Sequence, residues 1–294
     1  MILIGESLNV ISKKIGQAYK ERDPKPIQEE ALDQKKRGMD YIDINLGPAK
    51  KDGTELMPWV IQTVQEVVND VPLALDTSNI DAIEAGLKVY QETPQPPLIN
   101  SIMARPERYE KMVPLAAEYN ADFIALMWGP DGLPRDENER AALAVELMTV
   151  ANEAGIENER IWFDGIVTPV NVQQDQLMSL LNFQMMIGDI APGCKSTCGL
   201  SNISNGPPAH LRPILNQTYM IMLERYGMYS VISDPLDEKL TDIAKGNRQD
   251  IRDVVLAVMD GEEPQAETKE LQDYVKTAKV ILGHILYSDS WLEV

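Results

Sequence analysis

Acids and amides stand at the ends of short apolar runs along this chain. Glu6 follows ILIG, with Asn9 close behind, and Asp43 and Asn45 lie within YIDINL. Asp76 closes LALD, Asn100 sits in LINSI, and Asp164 closes IWFD. Ser201 and Asn202 follow CGL, and Asp234 closes YSVISD. No lysine or histidine takes such a position. Taken singly, each Asp or Asn reads as a helix cap or a turn former. Asp76 has less need of that role, because Asn79, three residues on, is the better cap. Taken together, they would line one mouth with carboxylates and amides, provided the runs converge.

Such a lining suits a flat heterocycle with N–H and NH2 donors. A carboxylate accepts two hydrogen bonds side by side from such an edge, and amides match ring atoms of mixed donor and acceptor type. Each charge-assisted bond contributes about 1.5–3 kcal/mol once desolvated. A 2-amino-4-oxo-pterin ring has the required edge. Metal binding is the competing chemistry, since Asp and Glu ligate magnesium. Asn100 and Asn202 are poor first ligands for it, and no phosphate-binding glycine loop accompanies them. Two cysteines, Cys194 and Cys198, and two histidines, His210 and His284, are thin for zinc and too few for a disulfide scaffold. No resident metal is expected.

The elements that must position these residues alternate. Eight β-rich runs, at 2–4, 41–46, 73–77, 98–102, 123–128, 161–166, 196–203 and 229–234, read as strands. Between them, Pro24–Gly38, Thr54–Asn69, Ile80–Glu92, Pro106–Asn120, Glu137–Gly155, Val172–Ile187 and Ile214–Gly227 place apolar residues three or four apart, as helices do. Pro24 and Pro106 suit first turns, Asn79 and Asn171 suit N-caps, and Gly38, Gly155 and Gly227 suit stops. Eight alternations predict an α/β chain folded as a (β/α)8 TIM barrel, whose C-terminal strand ends carry the chemistry. A doubly wound sheet is the rival, but GESLN after the first strand lacks the GxGxxG loop of its dinucleotide-binding form. Residues 1–235 are expected to form the barrel. Residues 236–294 add C-terminal helices at Asp237–Lys245, Gln249–Met259 and Thr268–Tyr287, completing the same domain.

Charge narrows the partners. With 27 basic and 46 acidic residues, the net charge is −19. That argues against nucleic acid and anionic membranes, which need Lys/Arg clusters. The start, MILIGESL, has no charged lead and no long apolar core, and no run approaches 18 apolar residues. A cytoplasmic, soluble protein is expected.

The motifs also resemble a known family. IGESLN, YIDINLGPA, LALDTSNIDAIEAGLK, LINSI, IWFDGIVTPVNVQQD, TCGLSNIS and ILYSDSWL occur in order across nearly the whole chain. They are similar to those of the pterin-binding (β/α)8 enzymes. The resemblance is closer to the methyltetrahydrofolate:corrinoid protein methyltransferases, of acetogenic carbon fixation or of O- and N-demethylation. Cobalamin-dependent methionine synthase contains a similar domain. The resemblance implies a substrate, methyltetrahydrofolate or tetrahydrofolate, and homodimerisation. It implies that Asp76, Asn100 and Asp164 hold the pterin, and that Gly199, Ser201 and Asn202 lie along the ring beside N5. Glu6, Asp43 and Asn45 match other mouth residues. Arg212 matches a folate-contacting arginine, although the loop after Asn202 is longer than is usual in the family.

On that reading Asn202 donates its NH2 to N5 as the methyl group leaves, with Asp76 polarising the ring or a water. A base-off corrinoid domain would show DxHxxG. His210 has Pro208 two residues before it, and His284 has Leu282. The corrinoid (cobalamin) is therefore expected on a separate partner protein. Two alternatives stand beside this: a non-catalytic folate-binding or assembly subunit, and a dihydropteroate synthase. The second would call for an arginine–histidine pair near strand 8, where ISDPLD stands instead.

Overall fold

A computed structural model describes residues 1–293. The chain alternates β1 (Ile2–Asn9), α1 (Lys13–Glu21), α2 (Pro24–Lys36), β2 (Tyr41–Asn45), α3 (Gly53–Gln65), β3 (Leu73–Asp76), α4 (Ile80–Val89) and β4 (Leu98–Met103). It continues through α5 (Pro106–Glu118), β5 (Asp122–Leu126), α6 (Glu137–Glu153), β6 (Ile161–Asp164), α7 (Gln174–Ile190), β7 (Lys195–Thr197), α8 (Arg212–Arg225) and β8 (Ser230–Ser233). Then come α9 (Glu238–Ala244), α10 (Gln249–Met259) and α11 (Lys269–Ile281). All eight strands run parallel in the order β7-β6-β5-β4-β3-β2-β1-β8. A bridge between Gly199 and Ile232, with the Ile232 N–H donating to the Cys198 carbonyl at 2.8 Å, joins the two ends. This is a (β/α)8 barrel with additional C-terminal helices.

Local signals set several boundaries. Asn79 caps α4 by accepting from the Ala82 N–H, and Pro24 and Pro106 occupy the first turns of α2 and α5. Gly38, just past α2, adopts φ +83°, the left-handed stop that glycine provides.

Two apolar layers hold the fold. The larger lies between the sheet and the helices. The smaller fills the barrel with Ile4, Tyr41, Ala74, Leu98, Ile124, Trp162 and Ile232. Strand side chains alternate faces. Two positions further along the same seven strands stand Glu6, Asp43, Asp76, Asn100, Leu126, Asp164 and Asp234. The same period that packs the interior therefore delivers polar groups to the C-terminal mouth. At the opposite end the barrel is plugged: Trp162 Nε1 donates to Asp122 at 2.9 Å, and Lys195 lies 3.3 Å from Asp122 and 4.8 Å from the Trp162 ring centre.

Four expectations need correction. Residues 196–203 do not continue as a strand. β7 stops at Thr197, and Leu200–Ser204 form a 3-10 turn. The turn is closed locally by Asn202 N–H to Gly199 O (3.2 Å) and Ser204 Oγ to Ser201 O (3.1 Å). The helix α1 was not anticipated; Ser12 caps it, and only Ile15, Ala18 and Tyr19 are buried on it. Asn171 caps nothing, since α7 begins at Gln174. The last helix ends at Ile281 rather than Tyr287, with Gly283 at φ +75° just beyond. The C-terminal helices pack on α8, where the Tyr274 hydroxyl donates to Gln217, whose amide donates to Asp237 at 2.8 Å. Among the described residues no helix is long and apolar enough to cross a membrane.

Candidate active site

The mouth is built strand by strand. Two of its side chains stand on bulges. The register of β1 against β2 gains one residue between Gly5 and Leu8, and that of β4 against β5 gains one between Ile99 and Ile102. Glu6 and Asn100 occupy these extra stretches, where a bulge re-aims a side chain. Asn100 Nδ2 then reaches Asp43 Oδ1 at 3.0 Å. On the next strand pair, Asn45 stands beside Asp76 in register and donates its amide to that carboxylate. Asn45 Oδ1 accepts the Gly47 N–H at 2.9 Å, which fixes the amide the right way round.

The carboxylates are unusually hard to ionise. Asp43 is almost completely buried, and burial pushes its pKa well above the usual carboxylate range, with the nearby Asp76 charge adding to the rise. Burial pushes Asp76 up to about 7, against the opposing pull of the Asn45 bond. Two acids buried side by side do not both ionise readily. Asp164 is pushed up to about 6, again by burial. The backbone N–H groups of Ile166 (2.8 Å) and Gly199 work in the other direction.

A second group joins the first strand to the turn after β7. Ser201 Oγ donates to Glu6 Oε1 at 2.6 Å, and burial raises the Glu6 pKa. Asn202 is exposed at the rim. Its Oδ1 accepts from Asn205 Nδ2 at 3.1 Å, while its Nδ2 makes no hydrogen bond among the described residues. That NH2 lies against Gly199, where a Cβ would come within 3.2 Å of it. Arg212, exposed at the start of α8, donates from Nε to Ser204 Oγ at 3.2 Å. It lines a cavity of about 350 Å3 together with Glu6, Ser201, Asn216 and Asp234.

The structure therefore gathers the expected residues into two adjoining clusters: Asp43, Asn45, Asp76 and Asn100, and Glu6 with Gly199, Ser201, Asn202 and Arg212. Asp164 touches the second cluster through the Gly199 amide. Asn9 and Asp234 instead form turns, accepting the N–H groups of Ile11 and Leu236. Sequence reasoning missed Thr197. It pairs in register with Asp164, is fully buried, and its hydroxyl has no partner among the described residues. Its signal was the two-residue step from Lys195, the residue that faces the barrel interior.

These features define a (β/α)8 enzyme whose mouth presents acids and amides, with one free amide donor at its edge. The chain belongs to the pterin binding enzyme family, whose model matches residues 5–232. It is 30% identical over 258 residues to the methylcorrinoid:tetrahydrofolate methyltransferase of Eubacterium limosum, covering 84% of this chain and 92% of that protein. Against the methionine synthase of Mycobacterium leprae it is 24% identical over 243 residues, 79% of this chain but 20% of that longer one. Among solved structures, a dihydropteroate synthase of Xanthomonas albilineans superimposes with a TM-score of 0.63 at 17% identity, covering 85% of this chain and 93% of the other. That likeness concerns the fold alone.

Proposed function

We propose that this chain is a methyltransferase moving a methyl group between N5 of tetrahydrofolate and the cobalt of a corrinoid carried by a separate protein. The observation that carries this is the pairing of a buried acid–amide cradle with the unengaged Asn202 NH2 at its edge. Similarity to a methylcorrinoid:tetrahydrofolate methyltransferase over 92% of that protein supports the same reaction.

Asp76, Asn100 and Asp164 hold the pterin ring, with Asn45 fixing Asp76, Asp43 fixing Asn100 and the Ile166 and Gly199 amides fixing Asp164. Carboxylates accept from the ring's N–H and NH2 groups. Gly199 and Ser201 lie along the ring, Glu6 holds Ser201, and Arg212 borders the adjoining cavity. The partner's corrinoid supplies the metal that gives or takes the methyl group. When the bond from carbon to N5 breaks, its electron pair stays on N5, which takes up a proton from solvent. Asn202 Nδ2 stabilises that nitrogen by donating to it. In the other direction N5 attacks the methyl group and releases its proton to solvent, the rotated amide's Oδ1 accepting a hydrogen bond from that N–H until it leaves. Asp76, able to carry a proton near neutrality, polarises the ring from the opposite wall.

The partner approaches the mouth, because N5 is reached only there. Ile11, Val172 and Leu236 are 86%, 71% and 61% exposed and stand on the loops that follow β1, β6 and β8, all on the mouth side. They suit a protein surface that closes over the site. We also infer a homodimer. Met185, well exposed on α7, borders a groove lined by Met178, Tyr226 and Leu282. Light scattering checks this, with twice the 32.9 kDa chain mass expected.

The deciding experiment mixes the purified protein with tetrahydrofolate and a methylated corrinoid protein and follows the corrinoid spectrum and folate methylation together. Transfer dependent on the protein is expected. Folate binding without transfer to or from any corrinoid protein would instead show a folate-binding subunit.

A further inference from the structure

Helix α6 buries a stripe at positions 140, 144, 147 and 151, which are Arg140, Ala144, Leu147 and Ala151. An arginine is the wrong type for such a stripe. Arg140 is completely buried, and among the described residues no carboxylate oxygen lies within 4.0 Å of its guanidinium. Its bonds go to neutral acceptors instead: Nε to the Gly165 carbonyl at 2.7 Å, Nη1 to Ser179 Oγ at 2.8 Å and Nη2 to Gln176 Oε1 at 2.9 Å. Negative charge reaches it only at a distance, from Glu137 through the Ser179 hydroxyl (3.1 Å) and from Asp136 and Asp164; a buried cation with no direct ion pair is costly and calls for a compensating role.

The role is visible in the turn that it grips. Gly165 lies between Asp164 and Ile166. Ile166 adopts φ +68°, a left-handed conformation that a β-branched residue takes only when its surroundings force it. In that conformation its N–H reaches Asp164 Oδ1 at 2.8 Å. The turn is pressed from behind, since a Cβ at Gly165 would meet Leu180 at 2.5 Å and Phe183 at 3.0 Å. Arg140 Nε pulls on the same peptide from α6. The turn's geometry is thus held from two helices, and the backbone holds one Asp164 oxygen.

We propose that Arg140 is a positioning residue of the folate site: from behind the barrel wall it grips the Gly165 carbonyl and so sets where Asp164 presents its carboxylate to the pterin ring. The inference rests on the reading that Asp164 contacts the folate. The positive charge of Arg140 also favours the ionised carboxylate, the form that accepts ring N–H groups.

Arg140→Lys keeps a cation in the cavity but loses the planar fork, and Arg140→Met removes both. Folate affinity by calorimetry, together with kcat and KM for folate, reads the effect. Arg140→Lys is expected to weaken tetrahydrofolate binding and raise its KM about tenfold, with kcat within about threefold of the native value; Arg140→Met goes further in the same direction. Combined with Asp164→Asn, Arg140→Lys is expected to add less than about threefold, because its effect runs through Asp164. Native folate affinity in Arg140→Lys would overturn the proposal, as would full additivity in the double variant. An Arg140→Met protein that fails to fold leaves the Lys series to decide. Native affinity in Asp164→Asn alone would remove the Asp164 contact itself, and the positioning role with it.

Discussion

The side-chain Nδ2 of Asn202 lies 3.2 Å from where a Cβ at position 199 would stand, close enough that a side chain there would move this amide by a few tenths of an ångström. Asn205 takes the other end of the amide. Asn202→Ala is therefore expected to slow methyl transfer by roughly 10²–10³, the usual cost of one preorganised donor. Folate affinity should stay within a few-fold, because the cradle is untouched. Single-turnover kinetics beside calorimetry separates the two, and an unchanged transfer rate would remove Asn202 from the reaction. Gly199→Ala, which pushes the amide aside without deleting it, should fall between native and Asn202→Ala.

The cradle residues should behave in the opposite way. Asn100→Ala leaves the buried Asp43 carboxylate without its 3.0 Å donor. An unsatisfied buried group costs about 1–3 kcal/mol, more when charged. Asn100→Ala and Asp164→Ala also each delete a polar contact to the pterin, worth about 1–3 kcal/mol, and should weaken tetrahydrofolate binding by about tenfold or more, while the transfer rate at saturating folate changes less. Native affinity in both would contradict the assignment.

Acidity gives a third test. Burial holds Asp164 at about 6, above its ordinary value. Folate binding needs the ionised form, so affinity should fall as pH drops through about 6. Folding stability runs the other way. A carboxyl whose folded pKa is raised contributes stability below its unfolded pKa, near 4, and loses it as pH rises through about 6. The ligand-free Asp164→Asn protein should therefore be more stable than native at pH 8, by up to about 3 kcal/mol, and melt higher. The gain is reduced by weaker bonds to the Ile166 and Gly199 amides, and vanishes near pH 4. A melting series across that range checks it; a gain that persists at pH 4 would show that ionisation is not its source.

The cradle was legible because one rule generates it. Apolar interior residues such as Tyr41, Ala74 and Trp162 are followed two positions later by Asp43, Asp76 and Asp164, and that step can be read without coordinates. The rule runs out where the backbone leaves the regular strand. The bulges at Glu6 and Asn100 depend on how β1 and β4 register with their neighbours, which one strand's sequence does not contain. Ser196–Ile203 was read as strand because its apolar residues permit it. Its serines and asparagine instead closed a 3-10 turn through local bonds, and this put Asn202 on the rim rather than at a strand end. Arg140 left a trace, a charged residue on the buried stripe of α6, but its acceptor on Gly165 comes from the turn after β6, 25 residues away.

The partner surface gives the last test, and its logic is geometric. A methyl group passes directly between N5 and cobalt, so the corrinoid must enter the mouth while its protein rests on the surrounding loops. Ile11 and Val172 stand on two of those loops, after β1 and β6, and both are largely exposed. Neither belongs to the acid–amide cradle, so replacing them leaves the folate contacts intact. Apolar anchors of this kind carry much of an interface's energy when a partner covers them. Ile11→Ser with Val172→Ser is expected to raise the KM for the corrinoid protein by about tenfold or more. Folate affinity and the rate with free corrinoid in place of the corrinoid protein should stay near native. Equal losses with free and protein-bound corrinoid would point to damage in the barrel, and unchanged kinetics with both would place the docking surface elsewhere.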